Sequence, residues 1–256
     1  ISSSGHLAVL QNFLAIGDME NHMLFDVLLH LGTLAAVILA FWKDVREVVT
    51  EFARMLHIRR TPRGLRPNRR ERRLISFLII ATLPLIPAVF LSNVVESLYQ
   101  NTFFIGFAFI LTGFLLFAAD RMGHGNKDER SSTTADALVV GLAQAVAVVP
   151  GLSRSGTTIS FGMLRGFERS FAVKFSFLLS IPAVLGANLV SLIKVFSTGV
   201  EWSYVPMYLV GVACAFVSGY FAIYFLRLVV QRGKFGGFCY YCWGAGLVTL
   251  LLSLIS

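Results

Sequence analysis

The sequence predicts an all-α protein, a polytopic bundle of membrane-spanning helices, and three observations carry that expectation. Of 256 residues, 56% are hydrophobic and only 14% charged, whereas soluble domains lie near half apolar and one quarter charged. Mean hydropathy is +0.73. The apolar residues also come in stretches close to the about 20 residues that a helix needs to cross a bilayer, not in the short alternating runs of barrel strands.

In chain order, six stretches qualify as spanning helices: about 22–42, 74–96, 102–119, 171–195, 205–230 and 235–256. Pro84, Pro87 and Pro182 fall inside spans and read as kinks. Two segments are too short to cross. One is 1–16, a Ser-rich start followed by a brief apolar stretch. The other is about 135–166, where an apolar run from Ala137 to Val149 is broken by Pro150-Gly151 before Thr157 to Leu164 resumes it. Runs of that length are expected to dip into the membrane and turn back. No cleavable signal is visible, and Ile1 opens directly into a Ser/Gly/His cluster, so the first of these re-entrant segments is expected to be truncated.

The formal charge of +8 is concentrated in one place: between Lys43 and Arg73 eleven Lys or Arg face four Asp or Glu, a net of +7. A basic loop at 43–73 is what the positive-inside rule puts in the cytoplasm, against anionic membrane lipid. Nucleic acid is not expected as a partner, because Phe52 and His57 are all the loop offers as stacking platforms. With that loop inside and 135–166 forming a hairpin, Arg121, Lys127, Arg130, Arg165, Arg169, Lys174, Arg227, Arg232 and Lys234 all fall on the same side. A full crossing at 135–166 would scatter them.

A weak internal repeat accompanies this topology. Ser2-Ser3-Ser4-Gly5 is echoed by Ser153-Arg154-Ser155-Gly156, and Phe25 to Leu29 by Phe175 to Leu179. One integral membrane domain over 1–256 is expected, with inverted halves of about 1–119 and 135–256. Inversion would bring the two broken segments tip to tip near the midplane, where helix N-termini can face an anionic ligand. Cys214, Cys239 and Cys242 lie in apolar segments and read as small buried hydrophobes.

Chemistry concentrates at Pro150-Gly151-Leu152-Ser153-Arg154-Ser155-Gly156-Thr157-Thr158. An arginine in a membrane segment costs at least about 2.5–3.5 kcal/mol on insertion scales and therefore faces a partner or a wet cavity. Here Ser155, Thr157 and Thr158, besides Ser153, flank Arg154, the glycines free the backbone, and a helix starts after the break. Together these can hold a phosphate. The alternative is an arginine that snorkels to the interface. Ser2, Ser3, Ser4, Gly5 and His6 form a second cluster. His6 follows Ser3 by three residues, so on a helix the imidazole could take the serine's proton, although a polar helix cap would read the same. Asp26 and His30, four apart on one helix face, belong to the same cavity or to a membrane boundary.

Ser-Ser-Ser-Gly-His and Pro-Gly-Leu-Ser-Arg-Ser-Gly-Thr-Thr resemble the two signatures of the undecaprenyl-diphosphate phosphatases of the bacitracin-resistance type. Phe175 to Pro182, Pro84 to Pro87 and Phe235 to Tyr241 fit as well, so the resemblance covers essentially the whole chain. It implies an enzyme that converts undecaprenyl diphosphate to the monophosphate and recycles the lipid carrier of cell-wall synthesis in the bacterial plasma membrane, with its site open to the outer face. Carried over by position, Ser3 matches the proposed nucleophile, His6 its acid/base partner and Arg154 the arginine that grips the diphosphate. Ser153, Ser155, Gly156 and Thr157 match the surrounding loop. A divalent cation, Mg or Ca, is implied too, but the family's glutamates lie upstream of Ile1, and Gln144 and Val148 at the echoing places are not acidic. No metal ligand can be named in this chain. His30 stands where the family more often has glutamine, and Cys242 where it commonly has arginine. A homodimer is compatible with the sequence. The rival readings are a lipid flippase or transporter on the same inverted scaffold and a structural membrane protein, which would leave Ser3, His6 and Arg154 dispersed.

Overall fold

Residues 2–14, 22–56, 68–198 and 205–254 are described by a computed structural model, and their regular structure is helical. Helix α1 (Ser3–Leu14) is followed by α2 (His22–Ala40), α3 (Trp42–Met55) and α4 (Arg69–Thr82). Two short pieces, α5 (Leu85–Val89) and α6 (Ser92–Tyr99), lead to α7 (Thr102–Met122). Then come α8 (Thr134–Val146), α9 (Arg154–Leu164), α10 (Arg169–Thr198), α11 (Val205–Gln231), a 3-10 turn (Phe235–Gly237) and α12 (Phe238–Ser253).

Among the described residues, four helical segments are long and apolar enough to cross a membrane: Thr102–Met122, Arg169–Ile193, Val205–Gln231 and Phe235–Ser253. The protein is thus a multi-pass membrane protein. Leu209 and Phe221 on α11 are 65% and 64% exposed, as suits side chains that face lipid. Helices α7 and α12 pack closely because both carry glycine at the crossing. A Cβ on Gly246 would lie 2.7 Å from the carbonyl oxygen of Gly106, the close backbone approach that small residues permit between helices in lipid.

Two expectations need correction. The stretch 74–96 is not one continuous helix. Helix α4 stops at Thr82, Pro84 precedes α5, and a further break at Phe90-Leu91 separates α6. Proline removes a backbone donor and crowds the preceding turn, so composition continued while the helix did not. The basic loop 43–73 is also not simply a loop. At Phe41 the chain bends by 91° from α2 into α3, which sets Val45, Val48 and Phe52 in a helical stripe beside α4, lining an apolar groove with residues of α4 and α10. Residues 57–67 lie outside the described residues.

Helices α8 and α9 form the hairpin expected at 135–166. Thr133 caps α8, its hydroxyl accepting from the Asp136 amide at 3.2 Å while Asp136 Oδ2 accepts from the Thr133 amide at 3.0 Å. Asp136, fully buried, also receives Lys127 Nζ at 3.0 Å and Arg165 at 2.8 Å. Since Arg165 ends α9 and Asp136 begins α8, the hairpin returns to the level at which it started. Lys127 closes its base, donating its amide to the Gly166 carbonyl at 2.9 Å and accepting from the Glu168 amide at 2.9 Å.

The same end of the bundle gathers the other basic clusters. Glu129, 2% exposed, receives Arg70 at 3.0 Å and also Lys174, which reaches Asp44 as well. Arg169 bonds Asp120 at 2.5 Å, Arg73 donates to the Ser132 carbonyl at 2.7 Å, and Arg227 lies over the Phe41 ring. Burial pushes the Glu129 carboxyl up, but Lys174 and Arg70 outweigh it and hold it below the usual glutamate range.

Candidate active site

The opening of α1 meets the turn between α8 and α9. A Cβ on Gly5 would lie 2.9 Å from the Cα of Gly151, and Gly151 itself has φ +89°, a conformation that glycine adopts without strain. Pro150-Gly151 ends the first arm, and Ser153 starts the second by capping α9, its hydroxyl accepting from the Gly156 amide at 3.1 Å. Thr112 on α7 pins this turn: its hydroxyl accepts from the Ser153 amide at 3.3 Å and donates to the Ala108 carbonyl at 2.9 Å.

A cavity of about 270 Å³ opens where the two segments meet. Ser2, Ser3 and Ser4 line it from one side, and Ser153, Arg154, Ser155 and Thr158 from the other. His30 from α2, Tyr99 from α6, and Ser176 and Ser180 from α10 complete its polar wall. Arg154 is the only formally charged side chain in that lining, and among the described residues its guanidinium has neither an ion pair nor a side-chain hydrogen bond. Ser3 is exposed to the space, and Tyr99 faces Ser4. Ser176 Oγ lies 2.5 Å from the Thr158 hydroxyl, which also donates to the Arg154 carbonyl at 2.9 Å, so α10 steadies the first turn of α9.

Not every residue singled out in the sequence reaches this cavity. His6 does not. Its Nδ1 lies 2.8 Å from the Ser2 carbonyl oxygen and its Nε2 2.6 Å from the Tyr241 hydroxyl on α12. The ring stacks on Tyr241 and meets Phe109 edge-on. Both nitrogens are thus engaged away from Ser3, contrary to the expected pairing, because Tyr241 and Phe109 supply a packed polar–aromatic niche that the open cavity does not. Thr157 is buried with its hydroxyl unpartnered, outside the lining. Gly5 contributes the close approach to Gly151, and Gly156 the amide that Ser153 caps. Asp26 is not a lining residue. Its carbonyl accepts His30 Nδ1 at 2.7 Å, which fixes the His30 ring one turn further along.

Thr158 stood in the Pro150–Thr158 motif, whereas Ser176 and Ser180 were read only as part of the Phe175–Pro182 run, and Tyr99 was not singled out from sequence. For the serines a signal existed: two hydroxyls four apart in an otherwise apolar span share one helix face. Tyr99, at the end of a broken segment with no motif around it, gave none.

The lining holds hydroxyls, an imidazole and a guanidinium but no carboxylate, and no cluster of three or more metal-ligating side chains occurs among the described residues. These residues alone do not make the oxygen set that a hard divalent cation takes. What they can do is receive a multiply charged oxyanion, through an unpaired guanidinium, a bank of hydroxyls and the opening turn of an 11-residue helix.

Fold and cavity together define a multi-pass membrane protein with a hydroxyl-rich cavity, holding one guanidinium, where the start of α1 meets the α8–α9 turn. Comparison with known proteins agrees. The chain belongs to the family described as Bacitracin resistance protein BacA, whose pattern it matches over residues 1–248. It is 39% identical to the undecaprenyl-diphosphatase of Alkaliphilus metalliredigens, over 100% of this chain and 93% of that protein. It is 36% identical to the enzyme of that name from Halothermothrix orenii, over 99% and 91%, and 38% identical to that from Methanobrevibacter smithii, over 99% and 91%.

Proposed function

We propose that the protein removes the terminal phosphate of undecaprenyl diphosphate in the plasma membrane, giving undecaprenyl phosphate and inorganic phosphate. The observation that carries this reading is Arg154: a guanidinium with no counter-ion among the described residues, across a cavity from the exposed Ser3 hydroxyl. An unpaired cation in so apolar a setting is tolerable when an anion completes it.

In this mechanism Arg154 takes two oxygens of the diphosphate and holds the terminal phosphorus in line with Ser3. The Ser3 oxygen bonds to that phosphorus as the bond to the bridging oxygen breaks, and the electron pair leaves on the lipid monophosphate. The serine proton passes to a phosphate oxygen of the departing lipid. Water then attacks the phosphoserine and restores Ser3 as phosphate is released. Phosphoryl transfer is loose, so catalysis rests on positioning and charge rather than on a strong base. Ser153, Ser155 and the first amides of α9 supply donors for the equatorial oxygens, while Thr158, whose proton goes to the Arg154 carbonyl, steadies that turn. A divalent cation is part of the proposal, but no step is assigned to it.

The topology belongs to the same reading. We propose that the halves 1–119 and 135–256 are inverted copies within one membrane domain, with six spans and two re-entrant hairpins. The basic end, with Arg70, Lys127, Arg165 and Arg169, is cytoplasmic, and the cavity opens outward. Self-association as a homodimer is compatible with this arrangement. Support comes from the contact of Gly5 with Gly151 and from the ion pairs that bring the basic clusters to one end.

The test is phosphate release from undecaprenyl diphosphate by the purified protein in detergent. Release that is lost in Arg154→Ala supports the enzyme. Movement of the lipid across vesicles without release contradicts it and favours a flippase.

A further inference from the structure

We propose that His6 is a positioning residue rather than a proton acceptor, and that Tyr241 on α12 is its partner. Together they form a latch that holds the opening turn of α1 so that Ser3 faces Arg154. This inference rests on the site described above and names residues that set its geometry.

The hydrogen-bond chemistry is restrictive. The Ser2 carbonyl can only accept, so the His6 nitrogen 2.8 Å from it, Nδ1, must carry a proton. In the neutral ring Nε2 then has a lone pair, and the Tyr241 hydroxyl at 2.6 Å donates to it. In the charged ring both nitrogens donate, and Tyr241 accepts. In neither state is a nitrogen left for the Ser3 hydroxyl.

What the latch holds is strained. Ser2 has φ +47°, the one positive value among the described non-glycine residues, a conformation that L-residues avoid. Its carbonyl receives two donors from the same residue, the His6 amide at 3.2 Å and Nδ1 at 2.8 Å. This pair fixes the turn from which Ser3 emerges. The ring is held in turn by two partners: Tyr241, near-parallel with ring centroids 5.7 Å apart and hydrogen-bonded to Nε2, and Phe109, edge-on at 4.9 Å. Phe109 lies on α7, the helix that also carries Thr112, which pins the Ser153 turn. One helix thus supports both sides of the cavity, and the latch ties the Ser3 side to it and to α12.

Side-chain replacements separate positioning from proton transfer. Asparagine at position 6 can place an N–H near the Nδ1 position but cannot relay a proton. We expect His6→Asn to keep kcat within about tenfold of wild type, and His6→Ala to lose about 100-fold, the scale of a misplaced reacting group. Tyr241→Phe, which removes only the hydroxyl, should lower kcat about threefold to tenfold with KM unchanged, as expected for one hydrogen bond lost. Phosphate release from undecaprenyl diphosphate in detergent reads all three, with thermal midpoints to establish folding. If His6→Ala does not fold, His6→Asn and Tyr241→Phe still decide. His6→Asn as inactive as Arg154→Ala while folded, or Tyr241→Phe with wild-type kcat, overturns the latch. Full activity in Arg154→Ala would instead overturn the site on which the latch depends.

Discussion

Gly5 and Gly151 touch backbone to backbone, with space for no side chain between them: a Cβ on Gly5 would stand 2.9 Å from the Cα of Gly151, and one on Gly151 would stand 2.8 Å from the Ile105 carbonyl oxygen. This contact joins two segments 146 residues apart (151 − 5) and brings Ser3 and Arg154 to the same cavity.

Gly151→Ala should therefore damage fold and site together. At φ +89° and against Ile105 and Ala108, alanine is both strained and overpacked, for a loss of about 1–3 kcal/mol. The thermal midpoint in detergent should fall, and phosphate release should fall further than that loss of folded protein explains, because the Ser153 turn shifts with it.

Arg154→Lys should recover only a small part of the activity lost in Arg154→Ala. A lysine keeps the charge but cannot grip two phosphate oxygens in one plane. We expect kcat/KM of the lysine variant about 10- to 100-fold below wild type, on the scale of one lost charge-assisted bond of about 1.5–3 kcal/mol, read by phosphate release over a range of lipid concentrations.

His30→Gln should keep phosphate release within about threefold of wild type, the scale of one exchanged neutral hydrogen bond. The ring lines the cavity with Nδ1 committed to the Asp26 carbonyl, and the mechanism draws no proton through it. A loss beyond 100-fold, measured at saturating lipid, would assign it a catalytic proton of about the general-base magnitude.

Glu129→Gln should lower stability in a pH-dependent way. The Glu129 carboxyl is held below its ordinary range in the folded protein, so its stabilising contribution is present above the unfolded value of about 4.3 and lost as pH falls through the lower folded value. At neutral pH the variant should be less stable, by on the order of 3 kcal/mol for a broken buried pair. Thermal midpoints of wild type and variant should converge as pH drops below about 4.

The parts of this architecture legible in sequence were those fixed by local composition. Helices α7, α10, α11 and α12 followed from apolar length, and the α8–α9 hairpin from a thirteen-residue run broken at Pro150-Gly151. Helix α3 was hidden because its charges were counted and its Val45–Val48–Phe52 stripe was not. The break at Pro84 was read as a kink, because a proline within an apolar run does not say how far the helix yields. At the site, the two hydroxyl-rich clusters were visible as motifs. The direction of the His6 ring was not, since it depends on Tyr241, which lies 235 residues away (241 − 6). Spacing alone placed His6 near Ser3, whereas tertiary packing turned it to α12. Tyr99 and the Ser176–Thr158 pair were likewise set by contacts between segments distant in the chain.

In the proposed mechanism a diphosphate is held between Ser3 and Arg154. An experimental structure with a methylene-bridged, non-hydrolysable lipid diphosphate analogue tests it most directly. The terminal phosphonate should lie within hydrogen-bond reach of the Arg154 guanidinium and beside Ser3 Oγ. An analogue bound elsewhere, with Arg154 turned away or paired to a carboxylate, would contradict it.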